Sequence, residues 1–260
     1  MIRTVFCSTL ALVAGSAMMC YADAKGDATA AADKLGTNYS WKTAVENAGG
    51  GGGGGGGGRG GFGGGPQEGK TAGGVTAITS QQGGNDRTTY RKGDKTVMQN
   101  QDGEWMTMEE MMAARGNGGN GGGARRAGRG GPQGAPMLPA ETVKDMISKT
   151  KSLTMADGAM SGDLTEEAAK ASLMGGGRGG RRGGGGNGGN AAAAPEITDA
   201  KATLKVWVKD GAISKYTSHV SGKVSRNGND QEVDRTTTVE FSNVGSTKVE
   251  VPADAAKKLG

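Results

Sequence analysis

Cysteine and histidine are nearly missing from this sequence of 260 residues, which contains two of the first and one of the second. Cys7 and Cys20 both fall in the first 24 residues, a predicted cleaved leader, so we expect a mature chain without disulfides, thiolate metal sites or cysteine catalysis. His219 is the single imidazole and no G-x-S-x-G motif occurs, which leaves no nucleophilic triad. We therefore expect no catalytic residue, no metal site and no cofactor, and predict that the protein is not an enzyme.

Long apolar runs are lacking too. No stretch after the leader approaches the roughly 20 apolar residues of a transmembrane helix, so we expect a chain that does not span a membrane. The leader itself contains Arg3, a short apolar run from Val5 to Met19, and the small-x-small pattern Ala22-Asp23-Ala24. We predict a signal peptide over 1–24, cleaved after Ala24, and export to the periplasm or the extracellular space. Cys20 lacks the preceding residues of a bacterial lipobox, so lipidation there is not expected.

Aromatic residues make up only 4% of the chain, whereas glycine is abundant at 53 residues. Three segments, 49–65, 116–134 and 175–190, contain 36 of these glycines and no acidic residue. Glycine loses the most backbone entropy on ordering and brings no side chain to bury, so we expect three disordered inserts in a single domain of residues 25–260. The inserts contain seven arginines: Arg59, Arg125, Arg126, Arg129, Arg178, Arg181 and Arg182.

Arginine flanked by glycine resembles the RGG boxes of RNA-binding proteins, where arginine neutralises phosphate and an aromatic ring stacks on a base. Phe62 is the one aromatic residue in the inserts, so we expect no specific nucleic-acid binding. The seven arginines are candidate contacts to anionic envelope polymers, and the alternative is a solubilising spacer without a ligand. In a simple up-and-down meander all three inserts would lie at one end of the sheet and form one basic rim.

Two further sequence patterns are typical of ligand sites, but each also has a simpler structural interpretation. Gly64 to Thr71 matches the spacing of a phosphate-binding loop, but glycines precede it and no helical pattern follows, so nucleotide binding is not expected. Four methionines, Met106, Met108, Met111 and Met112, suit a soft ion such as Cu(I). Methionine is also a common filler of irregular cores, and we favour that interpretation.

Between the inserts, apolar and polar residues alternate as in half-buried strands, over Tyr39 to Val45, Leu204 to Val208 and Val233 to Phe241. Asp-Gly pairs beginning at 102, 157 and 210 predict hairpin turns. Val249 and Val251 are predicted to close the series, for a total of about nine to eleven short antiparallel strands.

Helices are fewer. One is predicted to begin at Pro139, a second to be capped by Thr165, and shorter ones to span Glu109 to Arg115 and Ala253 to Leu259. The predicted fold class is α+β and mainly β: a curved antiparallel sheet, an open half-barrel, packed on two to three helices.

Several short phrases resemble the LolA and LppX group of bacterial envelope carriers: a strand at Tyr39-Ser40-Trp41, then Ser161 to Leu164 leading into a helix, Val206 to Gly211, and Val249 to Pro252. The likeness covers about residues 36 to 252 with the inserts set aside. It implies a curved sheet wrapped around helices, with an apolar space that receives a lipid or a lipoprotein acyl chain. No site residue carries over.

We therefore expect a noncatalytic exported envelope protein that binds an apolar or lipid-like ligand between sheet and helices. Few aromatic side chains are available to fill so large a sheet, so either the core is thin or a cavity lined by aliphatic residues and methionines exists. The alternative function is a structural or interaction protein whose arginine-glycine loops contact anionic polymers.

Overall fold

The computed structural model describes residues 23–48, 66–82, 84–100, 102–117, 137–174, 195–226 and 229–260. Within these ranges the chain forms five helices and eleven strands. In chain order they are α1 (Ala24–Asp33), β1 (Tyr39–Asn47), β2 (Gln67–Ala72), β3 (Val75–Gln82), β4 (Asn85–Lys92), β5 (Lys95–Gln99), β6 (Trp105–Thr107), α2 (Met108–Asn117), α3 (Pro139–Ser148), β7 (Thr154–Ala156), β8 (Ala159–Asp163), α4 (Glu166–Leu173), β9 (Glu196–Lys209), β10 (Ala212–Arg226), β11 (Asn229–Ser242) and α5 (Ala253–Leu259).

All eleven strands belong to one open antiparallel sheet, in the order β6-β5-β4-β3-β2-β1-β11-β10-β9-β8-β7. The first and last long strands, β1 and β11, pair in the middle, and the connection from β6 to β7 leads from one edge to the other. Each edge strand has three residues. The predicted fold class and strand number are confirmed.

The three predicted Asp-Gly turns are present as hairpin connections. Asp157 and Gly158, and likewise Asp210 and Gly211, all have positive φ between 53° and 75°, as a two-residue type I′ turn requires. At the third turn Gly103 alone has positive φ, and the Asn100 side chain accepts hydrogen bonds from two backbone amides of the loop. Local turn chemistry therefore sets the register of these strand pairs.

The two faces of the sheet are covered at different places. One face, here called the helix face, carries Trp41, Ile78, Tyr216 and Phe241, which share one core cluster with α1, α3 and α4. The other, here called the opposite face, carries Tyr90 and Val97, which form a separate cluster with α5. Strand alternation predicts that a strand has two faces, but it does not predict which helix covers which face.

The first helix was not predicted. α1 is rich in alanine, and its buried side chains Ala28, Ala31 and Ala32 give little hydrophobic signal in the sequence. Its start is well fixed: the Asp23 carboxylate accepts a hydrogen bond from the Gly26 amide at 3.0 Å. A Cβ at Gly26 would lie 2.6 Å from that carboxylate, so a larger residue there would shift the Asp23 side chain. Residues 1–22 of the predicted leader lie outside the described residues.

The other predicted helices are present. α3 begins at Pro139, and the Thr165 hydroxyl caps α4 by accepting a hydrogen bond from the Ala168 amide at 3.3 Å. None of the helices in the described ranges combines the length and the apolar character needed to cross a membrane.

The segment after β11 corrects one expectation. Val249 and Val251 do not form a final strand; residues 243–252 instead cross the opposite face in irregular conformation. The Thr247 hydroxyl hydrogen-bonds the Ser40 hydroxyl at 3.0 Å, and the two valines pack against the cluster around Tyr90. The two valines alternate with polar residues because one side of this extended segment is buried against the sheet. An extended segment buried on one side gives the same sequence pattern as a strand.

Candidate functional site

The helix face is filled with side chains where α1, α3 and α4 cover it. Tyr39 stands at the centre of an aromatic group, with ring centroids 5.6 Å from Trp41 and 5.5 Å from Phe241. Tyr216 lies 6.0 Å from Phe241. Burial raises the pKa of Tyr39 to about 12, and hydrogen bonds to the Ala140 backbone and Thr71 only partly offset that effect. This half of the face is a packed core, and a ligand could enter it only by displacing a helix.

A glycine allows the largest of these rings to cross to β2. Gly69 is the direct cross-strand partner of Trp41, and a Cβ placed there would lie 2.0 Å from the Trp41 indole. The indole therefore lies flat over the backbone of β2. Trp41 marks the boundary between the packed half of the helix face and the strands beyond it.

Beyond Trp41 the helix face carries a row of uncharged side chains, here called the β3–β6 strip. It consists of Ile78, Thr89, Met98 and Met106, which are consecutive cross-strand partners on β3, β4, β5 and β6. Ile78 is buried, and the other three are only half-buried. Among the described elements, α1 and α4 make their main contacts with β9 and β10, whereas α2 contacts β5 and β6. The accessible part of the strip is the row Thr89, Met98 and Met106, and Arg87 and Arg91 flank Thr89 on the same face of β4.

Sequence reasoning missed the strip. Strand β3 places Val75 and Ala77 on the opposite face and Ile78 on the helix face, so both of its faces carry apolar residues. This mixture hides the alternation on which a strand prediction depends. Met98 was overlooked as well, because its relation to Met106 becomes visible only through the pairing of β5 with β6.

Two surface pockets lie mainly on the opposite face. One, of about 440 Å³, is lined by Gly103, Glu104, Trp105, Asp254, Lys257 and Lys258. The other, of about 280 Å³, lies at the end of β1 and β2, where Lys42 forms a salt bridge of 2.6 Å with Glu68. Lysine in both pockets is already paired with carboxylate, as in the 2.9 Å bridge between Lys257 and Asp254. The lysines of both pockets are therefore already neutralised, and Glu104 remains as a carboxylate that accepts a hydrogen bond from the Asn100 side-chain amide at 3.2 Å.

The arginine candidates themselves, Arg59, Arg125, Arg126, Arg129, Arg178, Arg181 and Arg182, lie outside the described residues. Their flanking elements are described. β1 ends at Asn47 and β9 begins at Glu196 at the same end of the sheet, because β1 is antiparallel to β11, β11 to β10 and β10 to β9. The first and third inserts are therefore attached at one end, as predicted.

The second insert does not follow this rule. Its C-terminal flank, the start of α3, lies beside Tyr39 at the beginning of β1, which is the other end of the sheet. The expectation of one basic rim from all three inserts is therefore wrong. Six successive antiparallel strands, β1 to β6, precede the second insert, and an even number of strands returns the chain to the end at which β1 begins. Gly116 and Asn117, assigned to this insert, belong to α2.

The remaining sequence motifs have structural explanations. Gly69, Lys70 and Thr71 of the apparent phosphate loop lie in β2, and a tight turn into β3 follows, so the backbone cannot converge on a phosphate there. His219 lies on the opposite face with its Nε2 3.0 Å from a carboxylate oxygen of Asp234, and both side chains are substantially exposed. No family model and no curated protein matches this sequence.

Proposed function

We propose that the protein is a noncatalytic exported envelope protein that binds an apolar, lipid-like ligand on the β3–β6 strip. The observation that supports it is the uneven covering of the helix face: it is packed solid on one side of Trp41, and on the other side Thr89, Met98 and Met106 form a half-open uncharged row, which Arg87 and Arg91 flank on β4. The ligand site proposed here is therefore narrower than the whole space between sheet and helices.

The chemistry of the strip suits an acyl chain. Its side chains are one isoleucine, two methionines and a threonine, so its members carry no charge that would be stranded by an apolar ligand. Methionine adapts its shape to a flexible partner. Each methylene removed from water contributes about 0.8 kcal/mol, so a chain covering a few strands would gain enough for stable binding.

The proposal is tested by extracting the purified exported protein and identifying bound lipids by mass spectrometry. A fluorescent fatty acid then serves as a probe for titration. Thr89→Glu places a charge in the middle of the strip and should abolish most of the probe binding. Thr88→Glu is the matched control, because Thr88 is the adjacent, equally half-buried residue of β4 and faces the other way, bonded to Thr79 at 3.0 Å.

Absence of any copurifying or exchangeable lipid would reject the proposal. Equal loss of probe binding in the Thr89 and Thr88 variants would reject the strip as its location. Circular dichroism melts of both variants show whether each remains folded, and wild-type lipid extraction gives a result that depends on no variant.

A second function is favoured by one observation, the attachment of the first and third inserts at the same end of the sheet. Four arginines, Arg59, Arg178, Arg181 and Arg182, belong to these two segments. We propose as the alternative that they contact anionic envelope polymers. Replacing the four with glutamine should abolish salt-sensitive binding to such a polymer, whereas replacing the three arginines of the second insert should reduce it less. Equal effects would contradict the role of the shared end.

A further inference from the structure

Two methionine side chains meet on the strip. Met98 of β5 and Met106 of β6 are direct cross-strand partners on the helix face, and directly opposed residues have Cβ atoms about 4.5–5.5 Å apart. The Asn100 side-chain amide donates a hydrogen bond of 3.5 Å to the Met106 sulfur, which fixes the orientation of that thioether. Both side chains are half-buried.

The start of α2 adds a third methionine. The Thr107 hydroxyl accepts a hydrogen bond from the Glu110 amide at 3.1 Å, and the Glu110 carboxylate accepts one from the Thr107 amide at 2.8 Å. This is a capping box with Thr107 as the N-cap. A hydrophobic residue before such a cap often packs against the fourth helical residue, and here these two positions are Met106 and Met111. Met111 is half-buried and α2 contacts both β5 and β6.

From this geometry we infer that Met98, Met106 and Met111 form a binding site for a soft monovalent cation, Cu(I), held by three thioether sulfurs. Neutral thioethers are appropriate ligands for Cu(I) and poor ligands for hard ions. Glu109 in the first turn offsets the positive end of the α2 dipole, which would otherwise repel a cation, whereas the Glu110 carboxylate is paired with the Lys258 ammonium. The inference does not depend on lipid binding.

The proposed site shares only Met106 and Met111 with the four methionines that lie close together in the sequence. Met112 is 64% exposed and Met108 is 38% exposed, so both are more exposed than the three half-buried methionines and are left out. Met98, which is eight positions before Met106, is included because the sheet brings it there. Met155 and Met174 are exposed methionines outside this arrangement, on β7 and just after α4, and serve as internal controls.

The test uses the purified full-length mature protein with ¹³C-methyl-labelled methionine and Ag(I) as the probe. The methyl resonances of the three site residues should shift together and saturate at one Ag(I) per chain, while those of Met155 and Met174 stay in place. Loss of a group that merely supports a metal ligand costs about 10- to 100-fold in affinity, so Met98→Leu, Met106→Leu and Met111→Leu should each weaken binding at least about tenfold. Met155→Leu should leave it unchanged. Cu(I), added anaerobically against a competing chelator, should bind at the same site, and Zn(II) should not.

Methyl shifts that follow exposure, with Met112 responding first and Met155 and Met174 alongside it, would overturn the inference in favour of nonspecific thioether binding. Absence of any Ag(I)-dependent shift would overturn it as well. Leucine keeps the apolar volume of methionine, and the wild-type spectra alone decide the result if a variant fails to fold.

Discussion

The contact between Gly69 and Trp41 gives a sharp prediction for Gly69→Ala. The added Cβ would lie 2.0 Å from the indole, and the ring has little room to move because Trp41 is 3% exposed and packs on Tyr39. Overpacking of this kind costs about 1–3 kcal/mol. Alanine recovers about 0.5–1 kcal/mol relative to glycine within a strand, because it loses less backbone entropy. A 2.0 Å approach to a buried ring belongs in the upper part of the overpacking range, about 2–3 kcal/mol, so even after a gain of about 1 kcal/mol the variant should be less stable by about 1–2 kcal/mol.

The assay is urea unfolding followed by circular dichroism, with an unchanged m value expected because the unfolded chain is the same size. For a domain of this length the thermal midpoint should fall by about 2–8 °C. Gly69→Ala is then measured again in a Trp41→Leu variant, in which the smaller side chain leaves room for the new methyl group. There Gly69→Ala should cost nothing or should stabilise, giving a coupling energy of about 1–3 kcal/mol in the double-mutant cycle.

The same cost for Gly69→Ala in both backgrounds would refute the reasoning, because the penalty would then have a source other than the indole. A variant as stable as the wild type would refute it also, since no compensating contact for the alanine is present at 2.0 Å from a buried ring.

Three further predictions concern the ends of helices and the buried tyrosines. Lys25→Met removes the ammonium that donates to the Ser148 and Thr150 carbonyls at 2.9 Å each and should lower the free energy of unfolding by about 1 kcal/mol; a urea midpoint equal to that of the wild type would contradict this. A chain that begins at Lys25 should be less stable than one that begins at Asp23 by about 1 kcal/mol, since the cap of α1 is lost, and identical melts would exclude a role for the cap. Burial raises the pKa of Tyr39 to about 12, so its neutral form is favoured in the fold; that stability is complete below about pH 10, the ordinary tyrosine pKa, and is lost as pH rises through the folded pKa. The urea midpoint of Tyr39→Phe should thus fall less between about pH 9 and 11 than that of the wild type. An equal fall in both proteins would contradict a role for Tyr39 in this pH dependence.

Local signals in the sequence predicted local structure well. The Asp210-Gly211 turn, the start of α3 at Pro139 and the cap at Thr165 all depend on residues within a few positions of one another. The long strands β9, β10 and β11 were predicted because each has one clearly apolar side. The alanine-rich helix α1 was not predicted, because its buried face consists of small side chains that bring its backbone close to its neighbours and give little hydrophobic signal.

Relations between distant elements were not accessible in the same way. Nothing near Val249 in the chain shows that it will lie against Tyr90 rather than pair with a strand. The pairing of Met98 with Met106 is likewise a product of strand register, and the attachment of the second insert depends on whether an even or an odd number of strands precedes it. Each of these depends on how separate segments meet, which alternation along one segment does not specify.

The short β6 and β7 edges have a consequence for how this chain behaves at high concentration. An unclosed sheet ordinarily offers a free template of amides and carbonyls to any other extended peptide, and eleven strands would make a large one. In the portion of the chain that the structure describes, the outermost strand at each margin has only three residues, too few for stable strand addition. The longer margin is the beginning of β9, before Ala202, which β8 does not cover, and a second extended chain would pair there first.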